Sequence, residues 1–81
     1  MRSTVELSMY PFNEDYKTLI LDFIARLNGY PELQVSTGPT ATVITAEHDY
    51  LFKVLGELLA WSHERHGRAV FVAKCIPDFE P

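Results

Sequence analysis

The 81 residues of this chain are enough for one modest hydrophobic core, since apolar residues make up 47% of the sequence. The formal net charge of −4 argues against a nucleic-acid partner, which would need a basic surface for its phosphates. A single cysteine, Cys75, excludes an internal disulfide, and no apolar run approaches the length of a membrane span, so we expect one soluble, cytoplasmic domain over residues 1–81 with no membrane partner.

The first part of the chain predicts a strand and then a helix. Apolar and polar residues alternate over 5–10, a period of two that is typical of a half-buried strand, and Pro11 ends the run. Asn13 is a suitable N-cap for a helix that begins at the next residue. Apolar residues then recur at helical spacing up to Asn28-Gly29, which predicts a helix over 14–28.

The rest of the chain predicts a hairpin, a second helix and a last strand. Gly38-Pro39 is a strong turn signal between two β-branched runs. A broad apolar stripe marks the helix, and Gly67 stops it. The predicted elements are strands over about 33–37 and 41–46, a helix over 49–66 that Asp49 caps, and a strand over 69–75.

This order, β-α-β-β-α-β, predicts an α+β fold: a ferredoxin-like sandwich with a four-stranded antiparallel sheet and two helices on one face. The opposite face of the sheet is left open. Strand alternation predicts that this open face shows Glu6, Ser8, Tyr10, Gln34, Ser36, Thr42, Ile44, Phe71, Ala73 and Cys75. Because Ile44 and Phe71 are too apolar to be left in water, we expect a homo-oligomer that forms through this face.

Hydroxyl side chains gather around the predicted hairpin turn, at Ser36, Thr40 and Thr42, with Ser8 as a cross-strand neighbour. Such groups suit a neutral or singly charged polar ligand, although threonine is also simply a good strand residue. Glu47 lies where a strand leads into a helix. Its carboxylate can accept from the amine of an amino-substituted heterocycle, or can do no more than favour the start of the helix.

Two histidines, His63 and His66, lie one helical turn apart, a spacing that can bind a metal ion. No further ligand has a spacing that completes such a site, and histidines near a helix C-terminus interact favourably with its dipole. The sequence also shows no nucleophile with a partner base and no glycine-rich phosphate loop. We therefore expect no catalytic residues, no metal and no cofactor.

The segments Val5–Phe12 and Thr37–Glu47 resemble the YkoF-type thiamine/hydroxymethylpyrimidine-binding proteins. The shared features are a first strand ending in Tyr-Pro-hydrophobic, a Gly-x-x-x-Thr hairpin and a Glu leading into the second helix. The resemblance implies ferredoxin-like subunits in dimers or tetramers, and a non-enzymatic binder of thiamine or its hydroxymethylpyrimidine moiety for salvage or transport. It also implies ligand-binding roles for Tyr10, Thr40, Thr42 and Glu47, to which the physical reasoning adds Ser8 and Ser36.

Two other functions are compatible with the sequence. The chain could be a regulatory or oligomeric interaction domain with no small-molecule chemistry, whose open face only pairs with itself. It could also be a small enzyme of the dimeric ferredoxin-like kind, in which an isolated His or Glu in a pocket would have to act as the catalytic residue. A ligand that binds only the folded state raises the melting temperature, so a thermal-shift screen separates binding of thiamine from pure self-association.

Overall fold

A computed structural model describes all 81 residues and confirms the predicted order of elements. The chain forms a ferredoxin-like α+β arrangement. Its elements are β1 (Arg2–Pro11), α1 (Tyr16–Asn28), β2 (Gln34–Thr37), β3 (Thr42–Glu47), α2 (His48–His66) and β4 (Ala69–Ile76). The first strand is longer than predicted at its start, because residues 2–4 continue its pairing with β3.

The four strands form one antiparallel sheet in the order β2-β3-β1-β4. Both helices pack on the same face, where their apolar residues meet Val5 and Leu7 of β1 and Ile44 of β3 in one buried cluster. The two long crossovers place β1 and β3 in the middle of the sheet, so β2 and β4 are its edges. Neither helix is both long enough and apolar enough to cross a lipid bilayer.

The helices begin differently from the sequence prediction. The N-cap of α2 is Glu47, whose carboxylate accepts hydrogen bonds from the backbone N–H groups of Asp49 and Tyr50, so the prediction of Asp49 as the cap is wrong. At α1 the predicted cap, Asn13, instead accepts from the backbone N–H of Asp15, and the helix begins after this turn. Free N–H groups at a helix start attract whichever side-chain oxygen reaches them, and here a glutamate reaches them.

The register of β3 and β4 corrects the prediction for the open face. Ile44 lies opposite Val5 and is only 1% exposed, so it faces the helices. Phe71 lies opposite Met9 and packs against Phe23 of α1, with ring centroids 5.2 Å apart. Thr42 and Ala73 lie opposite Leu7, and Cys75 lies opposite Val5, so they too are on the helix side. The prediction that these five residues lie on the open face is therefore wrong. A shift of one residue along a strand moves every side chain to the other face.

The open face therefore carries different apolar residues from those predicted, and they form an aliphatic patch. The residues that share this side are Glu6, Ser8, Tyr10, Gln34, Ser36, Val43, Thr45, Val70, Val72, Lys74 and Ile76. At one end of this face the C-terminal segment folds back over Thr4, whose hydroxyl donates to the carbonyl oxygen of Phe79 at 2.7 Å. The backbone N–H of Phe79 donates to the carbonyl oxygen of Arg2, so this segment is tied to β1.

Candidate functional site

Two adjoining depressions lie at the end of the sheet where the β2–β3 hairpin turns. The inner cavity, of about 110 Å³, is lined by Leu7, Ser8, Met9, Ile20, Phe23, Ile24 and residues 38–42. The outer groove, of about 360 Å³, is lined by Met9, Tyr10, Pro11, Tyr16, Ile20, Pro39 and Thr40. Four residues border both, so the groove opens directly onto the cavity.

The hairpin turn forms one wall of both depressions. The backbone N–H of Gly38 donates to the carbonyl oxygen of Ala41 at 2.9 Å and closes the turn. A Cβ atom at Gly38 would lie 3.3 Å from that same oxygen, which is a tight contact. A side chain at position 38 would therefore require the Ala41 carbonyl to shift by a few tenths of an ångström, and glycine keeps the turn compact where Pro39 and Thr40 line the groove.

Helix α1 forms the facing wall. It begins at Tyr16, and residues one helical turn apart lie on the same side of a helix, so Tyr16 and Ile20 stand together over the end of β1. Tyr10 closes the groove from β1. Tyr10 and Tyr16 are both about half-exposed, and aromatic rings that keep this much surface open can stack on a planar ligand.

Three residues with aliphatic hydroxyl groups border the depressions: Ser8, Thr40 and Thr42. The Ser8 hydroxyl donates to the carbonyl oxygen of Thr40 at 3.1 Å and still has a lone pair to offer. The Thr42 side chain is only 7% exposed, faces the helices beside Leu7, and makes no side-chain hydrogen bond within the protein. Because Thr42 is nearly buried with its hydroxyl free, this hydroxyl is well placed to meet a polar atom of a ligand in the inner cavity.

Four of the six residues predicted to bind a ligand border these depressions: Ser8, Tyr10, Thr40 and Thr42. Ser36 lies on edge strand β2, opposite Val43 on the open face. Glu47 is at the far end of β3 from Thr42, and five residue steps along the strand place them roughly 16 Å apart. Within one chain, therefore, Glu47 and Thr42 do not line a common pocket.

The Glu47 carboxylate is already engaged with α2. Its two oxygens accept from the backbone N–H groups of Asp49, at 3.2 Å, and Tyr50, at 2.9 Å. These hydrogen bonds, the Tyr50 one foremost, hold the pKa of the Glu47 carboxyl below its usual value. The structure thus shows Glu47 as a helix cap, one of the two roles that the sequence left open.

Sequence reasoning misses the residues that shape the groove. The helical pattern places Tyr16 in the apolar stripe, but Tyr16 lies on the outer margin of that stripe and remains exposed. Met9 and Ile20 are predicted for the core, and they border both depressions as well. The sequence does contain one indication of the groove, namely three aromatic residues within positions 10–16 (Tyr10, Phe12 and Tyr16). The end of a strand and a turn need fewer aromatic side chains than this for packing.

The histidines near the end of α2 take part in a contact between helices. Asp22 of α1 accepts from the Arg65 guanidinium at 2.7 Å and lies 2.6 Å from Nε2 of His66. His63 is exposed. No group of three or more His, Cys, Asp or Glu side chains lies close enough together to hold a metal ion.

We expect Asp22 to make the contact between α1 and α2 pH-dependent. Hydrogen bonds from Arg65 and then His66 hold the pKa of the Asp22 carboxyl below its usual 3.8. A lowered folded-state pKa contributes stability above the unfolded-state pKa, and this contribution is lost as the pH falls through the folded-state value. We expect Asp22→Asn to lower the urea midpoint at neutral pH, with a difference from wild type that shrinks as the pH falls below 3.8.

Urea titrations monitored by circular dichroism at several pH values test this expectation. Glu57→Gln removes an exposed carboxylate that has no ion pair, and it is the matched control on α2. A difference between wild type and Asp22→Asn that stays constant from neutral pH to strongly acidic pH would contradict the expectation, since it would show that the charge of Asp22 does not matter.

Comparison with solved structures shows the same fold in several proteins. A candidate thiamine biosynthesis/salvage protein of Thermotoga maritima, TM0486, is similar with a TM-score of 0.84 at 19% identity, over 94% of this chain and 83% of that one. Protein SP2199 of Streptococcus pneumoniae has a TM-score of 0.82 at 23% identity, over 93% and 84% of the two chains. The hypothetical protein MJ1052 of Methanocaldococcus jannascii has a TM-score of 0.78 at 20% identity, over 99% and 84%.

By sequence, the chain matches no protein-family model and no curated protein. The similarity to solved structures therefore concerns the fold. At 19–23% identity it leaves the groove residues to be judged on their own chemistry.

Proposed function

We propose that this protein binds thiamine or its hydroxymethylpyrimidine moiety, and that the outer groove and inner cavity form the binding site. The observation that carries the proposal is the unpaired hydroxyl of Thr42, a residue only 7% exposed, beneath a groove bordered by Tyr10 and Tyr16. Aromatic rings and a few convergent polar groups are the usual lining of small-molecule sites. The shared fold with a candidate thiamine biosynthesis/salvage protein supports the choice of ligand.

The sizes of the two depressions support a division of the ligand between them. The outer groove, at about 360 Å³, is within the range of roughly 300–1,000 Å³ that ligand pockets occupy. The inner cavity, at about 110 Å³, is smaller than the cavity of about 150 Å³ that accepts a benzene ring in another protein. A pyrimidine ring therefore lies in the groove, with only its substituents reaching the inner cavity.

The groups that border the site favour binding over catalysis. They are aromatic and aliphatic side chains with the hydroxyls of Ser8, Thr40 and Thr42. Hydroxyls donate and accept in turn, so they can read the ring nitrogens and the amine of an aminopyrimidine. The proposal is accordingly a binder that takes up and releases its ligand unchanged, in salvage or transport.

A second copy of the chain is part of the proposal, because the open face of the sheet keeps an aliphatic patch. Val70 and Val72 are exposed there beside Tyr10, whose ring also borders the groove. Covering the patch with a second copy would remove these side chains from water and would enclose the Tyr10 side of the groove.

Calorimetric titration of hydroxymethylpyrimidine and thiamine into wild type and Thr42→Val tests the site. A neutral hydrogen bond contributes about 0.5–1.5 kcal/mol, so we expect Thr42→Val to weaken binding by roughly 2- to 12-fold. Thr37→Val is the matched control, because Thr37 lies opposite Thr42 on β2 but does not border either depression. The affinity of Thr37→Val for both ligands should equal that of wild type.

Glu47→Gln decides between this groove and the start of α2. If the ligand lies in the groove, the Glu47→Gln affinity is unchanged while Thr42→Val is weakened. If Glu47→Gln weakens binding and Thr42→Val does not, the ligand lies at the start of α2 and the groove assignment is wrong. Absence of binding heat for both ligands in folded wild type would refute the function itself and would favour an interaction domain with no small-molecule chemistry.

A further inference from the structure

The chain turns back after β4 and lays a short segment, residues 78–80, along the start of β1. Pairing between β1 and β4 ends at Thr4, so the first residues of β1 have an open edge on that side of the sheet. The backbone N–H of Phe79 donates to the carbonyl oxygen of Arg2 at 3.1 Å and thereby occupies this edge. We refer to residues 78–80 as the strap and to residues 2–4 as the seat.

Two side chains of the seat also contact the strap. The Ser3 hydroxyl accepts from the backbone N–H of Asp78 at 3.2 Å. Nε of Arg2 lies 3.0 Å from the carboxylate of Glu80. The seat thus binds two successive backbone N–H groups and a carboxylate, groups that many extended acidic peptides carry.

Thr4 gives the seat a hydrogen-bond donor. Its hydroxyl donates to the carbonyl oxygen of Phe79 at 2.7 Å and lies 2.9 Å from the hydroxyl of Thr45. A hydroxyl has one hydrogen, so Thr45 donates to Thr4 and Thr4 donates to the strap. Both threonines are only 3% exposed although they lie on the open face, where the nearby Glu6 is half-buried. The strap therefore covers this polar pair, and its release would free the Thr4 hydroxyl to bind another carbonyl oxygen.

The contacts that hold the strap are weak. The ring of Phe79 is 43% exposed, so burial of apolar surface adds little. The side chains of Arg2 and Glu80 are 38% and 51% exposed, and exposed ion pairs contribute little in water. Asp78 has a φ of 53°, in the left-handed region that few residues other than glycine adopt. A segment with so few buried apolar contacts can open while the rest of the domain stays folded.

We propose that the seat is a peptide-binding site, which the strap occupies within the same chain and which accepts an extended acidic segment of a partner protein when the strap opens. The contacts define that segment: two successive N–H groups, the carbonyl group of the second residue, and a carboxylate on the next residue. Addition of an extended peptide to an open strand edge is a common mode of recognition. The seat and the ligand groove lie at opposite ends of β1, so the proposal does not depend on the ligand of the groove.

The strap makes this site autoinhibited. A short tether gives a segment an effective concentration on the order of millimolar. A partner segment with the same contacts must compete with that concentration, so the closed strap excludes weak partners. Any change that opens the strap should raise the apparent affinity, because this affinity is reduced in proportion to the fraction of seats that are open.

Substitutions at Asp78 shift the strap without altering the seat. Proline lacks the N–H group and cannot adopt a positive φ, so Asp78→Pro opens the strap, whereas Asp78→Gly favours the closed form. Fluorescence anisotropy of a labelled peptide with the sequence of residues 76–81 measures binding to each variant. We expect the peptide to bind Asp78→Pro at least about tenfold more tightly than wild type, and Asp78→Gly more weakly than wild type.

Variants of the seat and of the peptide show where the peptide binds. In the Asp78→Pro background, Thr4→Val should weaken binding by roughly 2- to 12-fold, while Thr37→Val, exposed on β2, is the matched control and should leave it unchanged. A peptide that carries Glu80→Gln should bind more weakly than the original peptide. This difference should shrink at high salt, which screens the charge of Arg2.

No binding to folded Asp78→Pro, or equal binding to Asp78→Pro, wild type and Asp78→Gly, would overturn the proposal. Circular dichroism establishes whether Asp78→Pro is folded. A measurement on wild type alone covers the case in which it is not. The peptide should speed hydrogen exchange of the Phe79 N–H of wild type, because it keeps the strap open, and unchanged exchange at saturating peptide would also overturn the proposal.

Discussion

Replacing Ile44 with alanine is expected to lower the free energy of unfolding by about 2–5 kcal/mol. The side chain is 1% exposed, lies between Val5 of β1 and Val35 of β2, and belongs to the cluster that both helices cover. Its removal leaves a cavity that close-packed neighbours fill only in part. Since a domain of this size has a total stability of about 5–15 kcal/mol, this one change removes a large share of it.

Val43→Ala is the matched comparison, one residue away on the same strand. Val43 is half-buried on the open face, where it lies opposite Glu6 and Ser36. We expect Val43→Ala to lower the free energy of unfolding by less than about 1.5 kcal/mol, because fewer contacts disappear and water can fill the space. Urea unfolding monitored by circular dichroism measures both values. A larger loss for Val43→Ala than for Ile44→Ala would mean that β3 pairs with β1 one residue out of this register.

The helices and the first strand could be predicted because their polar and apolar residues alternate with a clear period. In α1 the buried residues Leu19, Phe23 and Leu27 recur every four residues, which only a helix brings to one side. In β1 the buried Val5 and Leu7 alternate with the polar Glu6 and Ser8. The order of elements then left few ways to connect the strands, and the ferredoxin-like arrangement is one of them.

The faces of β3 and β4 could not be predicted in the same way. In β3, Val43 and Ile44 are both β-branched and apolar, and threonines stand on either side of them. In β4, Val70, Phe71 and Val72 are consecutive apolar residues. Alternation is absent in both strands, so local pattern does not choose a face. The choice is made by long-range pairing with β1, which sets Ile44 against Val5.

The candidate site could be predicted in part, for a related reason. The hydroxyls near the hairpin turn are close in sequence, and the turn keeps Thr40 and Thr42 together at one end of the sheet. A family resemblance groups Glu47 with them, although β3 carries it to the opposite end. Tyr16 completes the groove only because α1 crosses the sheet beside Tyr10, a contact that no local pattern encodes.

Two fully buried serines are expected to respond to alanine with opposite signs. Ser3 and Ser62 are both 0% exposed. The Ser3 hydroxyl lies 2.8 Å from Nδ1 of His48 and accepts from the backbone N–H of Asp78 at 3.2 Å. The Ser62 hydroxyl, on α2, has no hydrogen-bond partner. The Ser3 hydroxyl thus has hydrogen-bond partners, whereas burial of the unpaired Ser62 hydroxyl destabilises the folded state.

Ser62→Ala removes an unsatisfied hydroxyl, whose burial costs about 1–3 kcal/mol, and it also replaces serine by the residue with the best helix propensity. We expect the free energy of unfolding to rise by at least about 1 kcal/mol, which for a chain of this length raises the melting temperature by about 4–8 °C. Ser3→Ala should lower stability by about 1–3 kcal/mol, because it leaves the Asp78 N–H without its partner at the point where the C-terminal segment joins β1. Differential scanning calorimetry of the two variants measures both shifts. A loss of stability in Ser62→Ala would show that the Ser62 hydroxyl binds a partner in solution, such as a buried water molecule, and that the helix contact there is polar.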